Sequence, residues 1–197
     1  YGFESYSQKV LNSMKKPITP QQIHNAIKLT LQEGIAIQGN FIFGDIAETK
    51  ETCITTLEYW KNNCEGQVQL SFVQPYPGSE LYNHCIKNNI IKNKLKYMTE
   101  DSWKENFFNM TKEMTDNEIT TLKNEIIRLR NSGYFKHSVV KNIFKTDKKD
   151  RYDVEVDCPF CKKTIIYKNY FLKPETFYKD FMICRECNRR FNILKSI

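Results

Sequence analysis

The N-terminal half of the chain alternates between stretches with helical hydrophobic spacing and short apolar runs typical of buried strands. Ile23, Ile27 and Leu31 recur every four residues in one predicted helix. Nearly continuous apolar runs follow over residues 35–43 and 68–73. Parallel strands that are covered by helices have this apolar pattern. The order helix, strand, helix, strand, helix predicts right-handed βαβ units and a parallel sheet or part of a barrel.

Capping sequences mark the predicted helix starts. A side-chain oxygen followed three residues later by Gln or Glu predicts a capping box. Three such pairs occur, Ser5 with Gln8, Thr19 with Gln22, and Thr115 with Glu118. Thr49 and Ser79 predict two further helix starts, and the Thr49 helix is expected to run to about Asn63.

After residue 92 the α/β rhythm ends. Residues 93–112 keep the aromatic side chains of Tyr97, Trp103, Phe107 and Phe108, which predict a closing segment packed on the barrel. An amphipathic helix is expected from Thr115 to near Gly133, followed by a charged linker over residues 141–151. We therefore expect three parts, an α/β barrel segment (1–112), a helix and linker (113–150), and a small domain (151–197).

The small domain contains the strongest local motif. Of seven cysteines, four form two Cys-x-x-Cys pairs separated by 22 residues, namely Cys158, Cys161, Cys184 and Cys187. Two such pairs can converge on one tetrahedral ion, and a domain of about 45 residues has too little core to fold without one. The pattern predicts a structural zinc ribbon with strands at 164–167, 177–183 and 191–194. Iron remains an alternative, although rubredoxin knuckles usually carry glycine where this chain has Lys162 and Asn188.

The net charge of +7 is concentrated in residues 151–197, where 10 basic and 6 acidic residues leave +4. Basic and aromatic residues cluster near the second cysteine pair and could bind nucleic acid or form only a solubilising face. They are Arg185, Arg189, Arg190, Phe191, Tyr167, Tyr170 and Tyr178. No apolar run reaches the ~20 residues of a membrane span, so a cytoplasmic protein is expected. The first residue is not methionine, and we expect a fragment of a longer protein.

Three polar stretches follow consecutive predicted strands, at residues 2–5, 41–49 and 74–79. The carboxyl ends of parallel strands meet at one edge of the sheet, where ligands bind. Glycines there allow close backbone approach, and the Glu4 carboxylate is suited to an amino or hydroxyl group. These stretches predict a ligand site.

Residues 1 to about 112 resemble the C-terminal half of a radical S-adenosylmethionine (radical SAM) enzyme barrel, of the group that includes cobalamin-dependent and oxidative-cyclase-like members. The matches are Gly-x-Glu-Ser at 2–5, Val10-Leu11 with Met14-Lys15-Lys16, Thr19-Pro20, Gly34-Ile35, Phe-Ile-Phe-Gly and Glu-Thr within 41–49, and Tyr-Pro-Gly-Ser at 76–79. The resemblance implies a partial (β/α)6 TIM-like barrel, with S-adenosylmethionine bound near a [4Fe-4S] cluster.

By the same resemblance, Glu4 and Ser5 would contact the methionyl or ribosyl part of the cofactor. Gly39, Asn40 and Phe41 would line the strand beneath it, and Tyr76, Pro77 and Gly78 would close the adenine side. The sequence departs from the family at Ile46 and Ala47, where Pro and Gly are common.

The Cys-x-x-x-Cys-x-x-Cys motif that holds the cluster is also absent from the 197 residues. This stretch alone is therefore expected to be inactive. The longer protein is expected to be a radical SAM enzyme whose cluster lies upstream, and the resemblance leaves a cobalamin domain upstream as an open alternative. The alternative is a non-catalytic module that binds nucleic acid or a protein through the basic ribbon. The residues do not indicate the substrate.

Overall fold

The computed structural model describes residues 1–101, 108–130, 136–172 and 181–194. Its N-terminal part contains a three-stranded parallel sheet formed by β1 (Gly2–Glu4), β2 (Gly39–Phe43) and β3 (Val68–Phe72), in that order across the sheet. The β2–β3 register pairs Gly39 with Val68 and Phe43 with Phe72. The carboxyl ends of the strands therefore lie along one edge, as the sequence predicts.

Helices connect and cover these strands. They are α1 (Gln8–Ser13), α2 (Pro20–Gln32), α3 (Lys50–Asn63), α4 (Glu80–Lys87), the single turn α5 (Lys94–Lys96) with a π-helical turn at Tyr97–Asp101, and α6 (Asp116–Arg130). Phe41 and Phe43 of β2 are fully buried and pack in one core with Trp60 of α3 and Ile126 of α6. The predicted mixed α/β architecture is confirmed.

The two faces of the parallel sheet differ in chemistry because strand side chains alternate between faces. In β2, the buried side chains face the helices, whereas Asn40 and Ile42 are half-buried on the opposite face. Gln69 and Ser71 of β3 are their register neighbours and are also half-buried. We call this opposite side the polar sheet face.

Local capping explains where most of the helices begin. Thr19 and Gln22 form the predicted capping box, and the Ser79 side chain accepts the Tyr82 N–H at 3.1 Å. The predicted box of Ser5 with Gln8 is wrong, because α1 begins after Ser7 without a side-chain cap.

The C-terminal part forms a five-stranded sheet in the order β6-β5-β4-β8-β7, here called the C-terminal sheet. Its strands are β4 (His137–Lys145), β5 (Arg151–Asp157), β6 (Thr164–Phe171), β7 (Phe181–Ile183) and β8 (Arg190–Leu194). Its core includes Val154, Val156, Met182 and Phe191.

Two expectations for this region are wrong. The predicted linker over residues 141–151 contains most of β4 and the start of β5, and the sheet has five strands where three were predicted. The reason is that β4 lies between β5 and β8, where backbone pairing on both edges holds a strand with few buried side chains. Trp103, Phe107, Gly133 and Tyr178, which the sequence analysis used, lie outside the described residues.

Candidate functional site

Four cysteine thiols meet between two turns of the C-terminal sheet. The Sγ atoms of Cys158, Cys161, Cys184 and Cys187 all lie within 4.8 Å of one another. The Cys158–Cys187 and Cys161–Cys184 pairs are each 3.7 Å apart. A tetrahedral ion with metal–sulfur bonds of about 2.3 Å requires sulfur–sulfur distances of about 3.8 Å. The four cysteines are therefore positioned to bind one metal ion.

Backbone hydrogen bonds shape both turns in the same way. The Cys158 N–H donates to the Lys163 carbonyl, and the Lys162 N–H donates to the Cys158 carbonyl, each at 2.9 Å. The Cys184 turn repeats this pattern. The residue after the second cysteine has positive φ in both turns, 64° at Lys162 and 55° at Asn188. This conformation turns the chain back so that both thiols of a pair point to one centre.

Metal binding by these thiols would release protons, because the thiolate is the ligand. Burial raises the pKa of Cys158 to about 12 and raises the pKa of Cys187, so these thiols hold their protons at neutral pH unless an ion replaces them. A hydrogen bond from the Lys163 N–H lowers the pKa of Cys161. A [4Fe-4S] cluster does not fit here, because its ligands surround a body of four irons and four sulfides and must lie farther apart than 4.8 Å.

A second group of polar residues lies at the carboxyl edge of the parallel sheet. Glu4 ends β1 with a φ of 61°, a left-handed conformation that costs a non-glycine residue roughly 1–2 kcal/mol. Its carboxylate is 2.7 Å from the Lys16 ammonium. A Cβ on Gly2 would lie 2.6 Å from the Glu4 Oε1 and 3.1 Å from the Lys16 Nζ. The ion pair therefore lies directly over Gly2, and a side chain there would displace the ends of Glu4 and Lys16.

The other strand residues predicted for this site have different positions. Asn40 pairs in register with Gly2 on the polar sheet face. The Phe41 side chain is fully buried in the core against the helices. Ser5 is buried, and its hydroxyl lies 3.2 Å from the Thr56 hydroxyl of α3. A Cβ on Gly39 would lie 2.6 Å from the Phe3 ring, so Gly39 allows close packing of β1 on β2.

The loop after β3 is open at its tip and anchored at its base. Tyr76 is 66% exposed, Pro77 is exposed, and nothing lies within 4 Å of a Cβ built on Gly78, whose φ is 91°. The Tyr97 hydroxyl donates to the Pro75 carbonyl at 2.9 Å and anchors the base. The tip is therefore exposed at the carboxyl edge of the sheet while its base is held in place.

Two further acidic groups lie at this edge, and local patterns did not reveal their surroundings. The Lys15 ammonium donates to both carboxylate oxygens of Glu80 in α4, each at 2.7 Å. This ion pair connects the turn after α1 with the start of α4. Glu48 is buried, accepts a hydrogen bond from the Gly44 N–H, and has a second oxygen without a hydrogen-bond partner among the described residues. Burial raises the pKa of Glu48 to about 7.

Most of the residues considered for nucleic-acid binding are engaged within the chain. Phe191 and Tyr167 are buried. The Arg189 guanidinium is 3.0 Å from the Glu65 carboxylate. The Arg190 guanidinium lies over the Phe181 ring, 5.2 Å from the ring centroid. Arg185 is exposed, above the Tyr167 ring. This arrangement does not support a free basic and aromatic surface.

Within the described residues, no helix combines the length and apolar character needed to span a membrane. No protein-family model matches the chain.

Curated relatives match about half of the chain. It is 36% identical over 103 residues to an uncharacterized methyltransferase of Pyrococcus horikoshii, and the matched segment covers 51% of this chain and 22% of that protein. It is 30% identical over 104 residues to a putative methylthiotransferase of Methanocaldococcus jannaschii, and here the matched segment covers 53% of this chain and 23% of that protein. The chain therefore spans less than a quarter of the length of either relative, and its similarity is to a segment of proteins named for methyl or methylthio transfer.

Proposed function

We propose that this chain contains the C-terminal half of the barrel of a radical SAM methyltransferase or methylthiotransferase, and that the carboxyl edge of its parallel sheet contributes to an S-adenosylmethionine site. The observation that carries the proposal is the Glu4–Lys16 ion pair over Gly2, beside the polar sheet face. The names of both relatives agree with transfer from such a donor. The resemblance of residues 1–112 to the radical SAM barrel gives the finer assignment.

Each group at this edge has a distinct part in the proposal. The Glu4 carboxylate accepts hydrogen bonds from amino or hydroxyl groups of the cofactor, and the Asn40 amide offers a donor and an acceptor on the same face. Lys16 orients the Glu4 carboxylate before binding through the ion pair. The Tyr76-Pro77-Gly78 tip covers the adenine side. Ser5, Gly39 and Phe41 act indirectly, because their packing against α3 and β1 fixes the ends of the strands.

The radical chemistry requires a [4Fe-4S] cluster that these residues do not fit. No three of the seven cysteines have the Cys-x-x-x-Cys-x-x-Cys spacing, and the four clustered thiols fit a single ion. The cluster, when bound elsewhere in a longer protein, supplies the electron that cleaves S-adenosylmethionine. In the proposal this chain contributes binding and orientation only.

We assign the four-cysteine site to structural zinc, because four thiolates complete a tetrahedron and leave no open position for catalysis. We also propose that the chain divides into a barrel segment, a connecting helix and a metal-stabilised C-terminal sheet that includes β4.

The test is S-adenosylmethionine binding by the full-length protein that contains this chain, measured by equilibrium dialysis under anaerobic conditions. Glu4→Gln keeps the size of the side chain but removes its charge, and we expect at least a tenfold loss of affinity, as is typical when a charged hydrogen-bond partner is removed. Glu80→Gln is the matched control, because it removes an exposed carboxylate at the same edge that pairs with Lys15.

Unchanged affinity in Glu4→Gln would remove Glu4 from the site. Absence of any S-adenosylmethionine binding by the full-length protein, with its iron and sulfide reconstituted, would reject the proposed function. Formation of 5′-deoxyadenosine by the same preparation is the corresponding activity test.

A further inference from the structure

A cleft lies between α2, α3 and the second cysteine turn, where the C-terminal sheet contacts the α/β part. Its volume is about 360 Å³, within the range of about 300–1,000 Å³ typical of small-molecule sites. The walls are the helices that cover the sheet, so the cleft is separate from the polar sheet face and the proposed S-adenosylmethionine site. Inference from this cleft therefore does not depend on the proposed S-adenosylmethionine site, and only its coupling to the metal rests on the proposed zinc site.

The cleft has a cationic side. Lys28 of α2 and Arg189 of the second cysteine turn both line it. Glu65 also lines it, but its carboxylate is 3.0 Å from the Arg189 guanidinium, so the two charges offset each other. Lys28 therefore leaves an excess of positive charge. His24 adds an imidazole ring, and its Nδ1 lies 3.3 Å from the Tyr59 hydroxyl.

The remaining lining groups are uncharged, and they combine the apolar side chains of Ile27 and Leu31 with polar ones. Gln32, Asn62 and Asn63 contribute side-chain amides, which can donate to and accept from hydroxyl groups or heterocyclic edges. A phosphate on a larger polar body matches this arrangement, because the phosphate pairs with lysine and the body meets the amides.

The C-terminal sheet holds Arg189 in place. The Gln67 amide accepts from the Arg190 N–H at 2.7 Å and donates to the Arg190 carbonyl at 2.9 Å. The Arg189 carbonyl accepts the Cys184 N–H at 3.0 Å, so the position of Arg189 depends on the geometry of the cysteine turn. Loss of the metal would release this turn and leave the Glu65 carboxylate without its partner beside the cleft.

We propose that this cleft binds a phosphate monoester carried on a polar body, such as a nucleotide or a phosphorylated sugar, and that metal loading of the four cysteines strengthens the binding. Lys28 contacts the phosphate. Arg189 acts as a positioning and shielding residue, because it neutralises Glu65, which would otherwise repel the anion.

The experiment is isothermal titration calorimetry of the full zinc-loaded chain with AMP, ribose 5-phosphate and inorganic phosphate as probes. AMP tighter than ribose 5-phosphate indicates a nucleotide, and the reverse order indicates a phosphorylated sugar; both support the proposal. Lys28→Ala should weaken the better probe about tenfold. Lys87→Ala, a change at an exposed lysine on α4, should leave it unchanged.

Three further variants test the metal coupling. Arg189→Ala should weaken binding, and the additional change Glu65→Gln should restore much of it, because the repelling carboxylate is gone. Chelation of the zinc should weaken binding in the unchanged chain but less in Glu65→Gln. Intrinsic tryptophan fluorescence verifies that each variant keeps its α/β part folded.

Clear outcomes would overturn the proposal. Absence of saturable binding for AMP and ribose 5-phosphate rejects the site. If inorganic phosphate binds as tightly as both esters, the polar body contributes nothing to binding and that part of the proposal is rejected. Affinity unchanged by Lys28→Ala rejects the location. Affinity that does not respond to chelation rejects the coupling to the metal site.

Discussion

Gln67 connects the two sheets, and its removal tests whether they are energetically coupled. Its side chain is buried, and its amide forms two hydrogen bonds with the backbone of Arg190, 123 residues later, besides a longer one of 3.4 Å to the Glu65 carbonyl. Gln67→Ala leaves one N–H and one carbonyl of Arg190 without these partners. An unsatisfied buried group costs about 1–3 kcal/mol, so we expect the variant to lose about 2–4 kcal/mol of unfolding free energy, allowing for partial water entry.

Urea unfolding of the metal-loaded chain can follow the two parts separately. Both tryptophans, Trp60 and Trp103, belong to the first part of the chain, and Trp60 donates to the Val68 carbonyl next to Gln67. Fluorescence therefore reports the α/β part. In cobalt-loaded protein, absorption from cobalt–thiolate bonds reports the C-terminal sheet. Coupling predicts that Gln67→Ala lowers the midpoint of both transitions.

Gln69→Ala is the matched control. Gln69 is the same residue type two positions later, half-buried on the polar sheet face, and a change there should cost less than about 0.5 kcal/mol. A loss below about 0.5 kcal/mol in both transitions of Gln67→Ala would refute the reasoning, because it would mean that the two hydrogen bonds add no net stability between the sheets.

Other predictions concern the metal, a buried carboxyl and a glycine. Zinc chelation or Cys158→Ser should unfold the C-terminal sheet while tryptophan fluorescence stays largely native, and one cooperative loss of both parts would contradict this. Glu48 has its pKa raised from 4.5 to about 7, so its protonated form stabilises the fold below about pH 4.5 and this contribution is lost as pH rises through 7. Glu48→Gln should therefore remove about 3 kcal/mol of that pH dependence, seen in unfolding curves from pH 4 to pH 9. Gly39→Ala should lower the free energy of unfolding by about 1–3 kcal/mol, because its Cβ would meet the Phe3 ring. The loss should exceed that of Gly78→Ala, where only backbone strain opposes the change. Equal losses in thermal unfolding would argue against the clash.

The sequence alone determined the features that depend on short-range spacing. The Thr19 cap, the alternation of helices and strands, and the two cysteine pairs are all set by residues a few positions apart, and each has its counterpart in the structure. Local hydrogen bonds and helical or strand periodicity act over this range, so a single sequence carries the information. The shared carboxyl edge of the three strands followed as well, because parallel strands must end on one side.

Only the tertiary structure decided which polar groups are partners and which face each residue occupies. Periodicity did not show that Phe41 packs against helices while Asn40 remains on the polar sheet face. A nearly continuous apolar run is typical of a strand with apolar side chains on both faces, so the pattern does not distinguish the two faces. It did not show β4 either, since pairing with β5 and β8 stabilises that strand more than its own side chains do. The Lys16 partner of Glu4 and the Gln67 contact with Arg190 depend on how separate segments pack. Such contacts are set by the energy of the whole fold, and no local pattern encodes them.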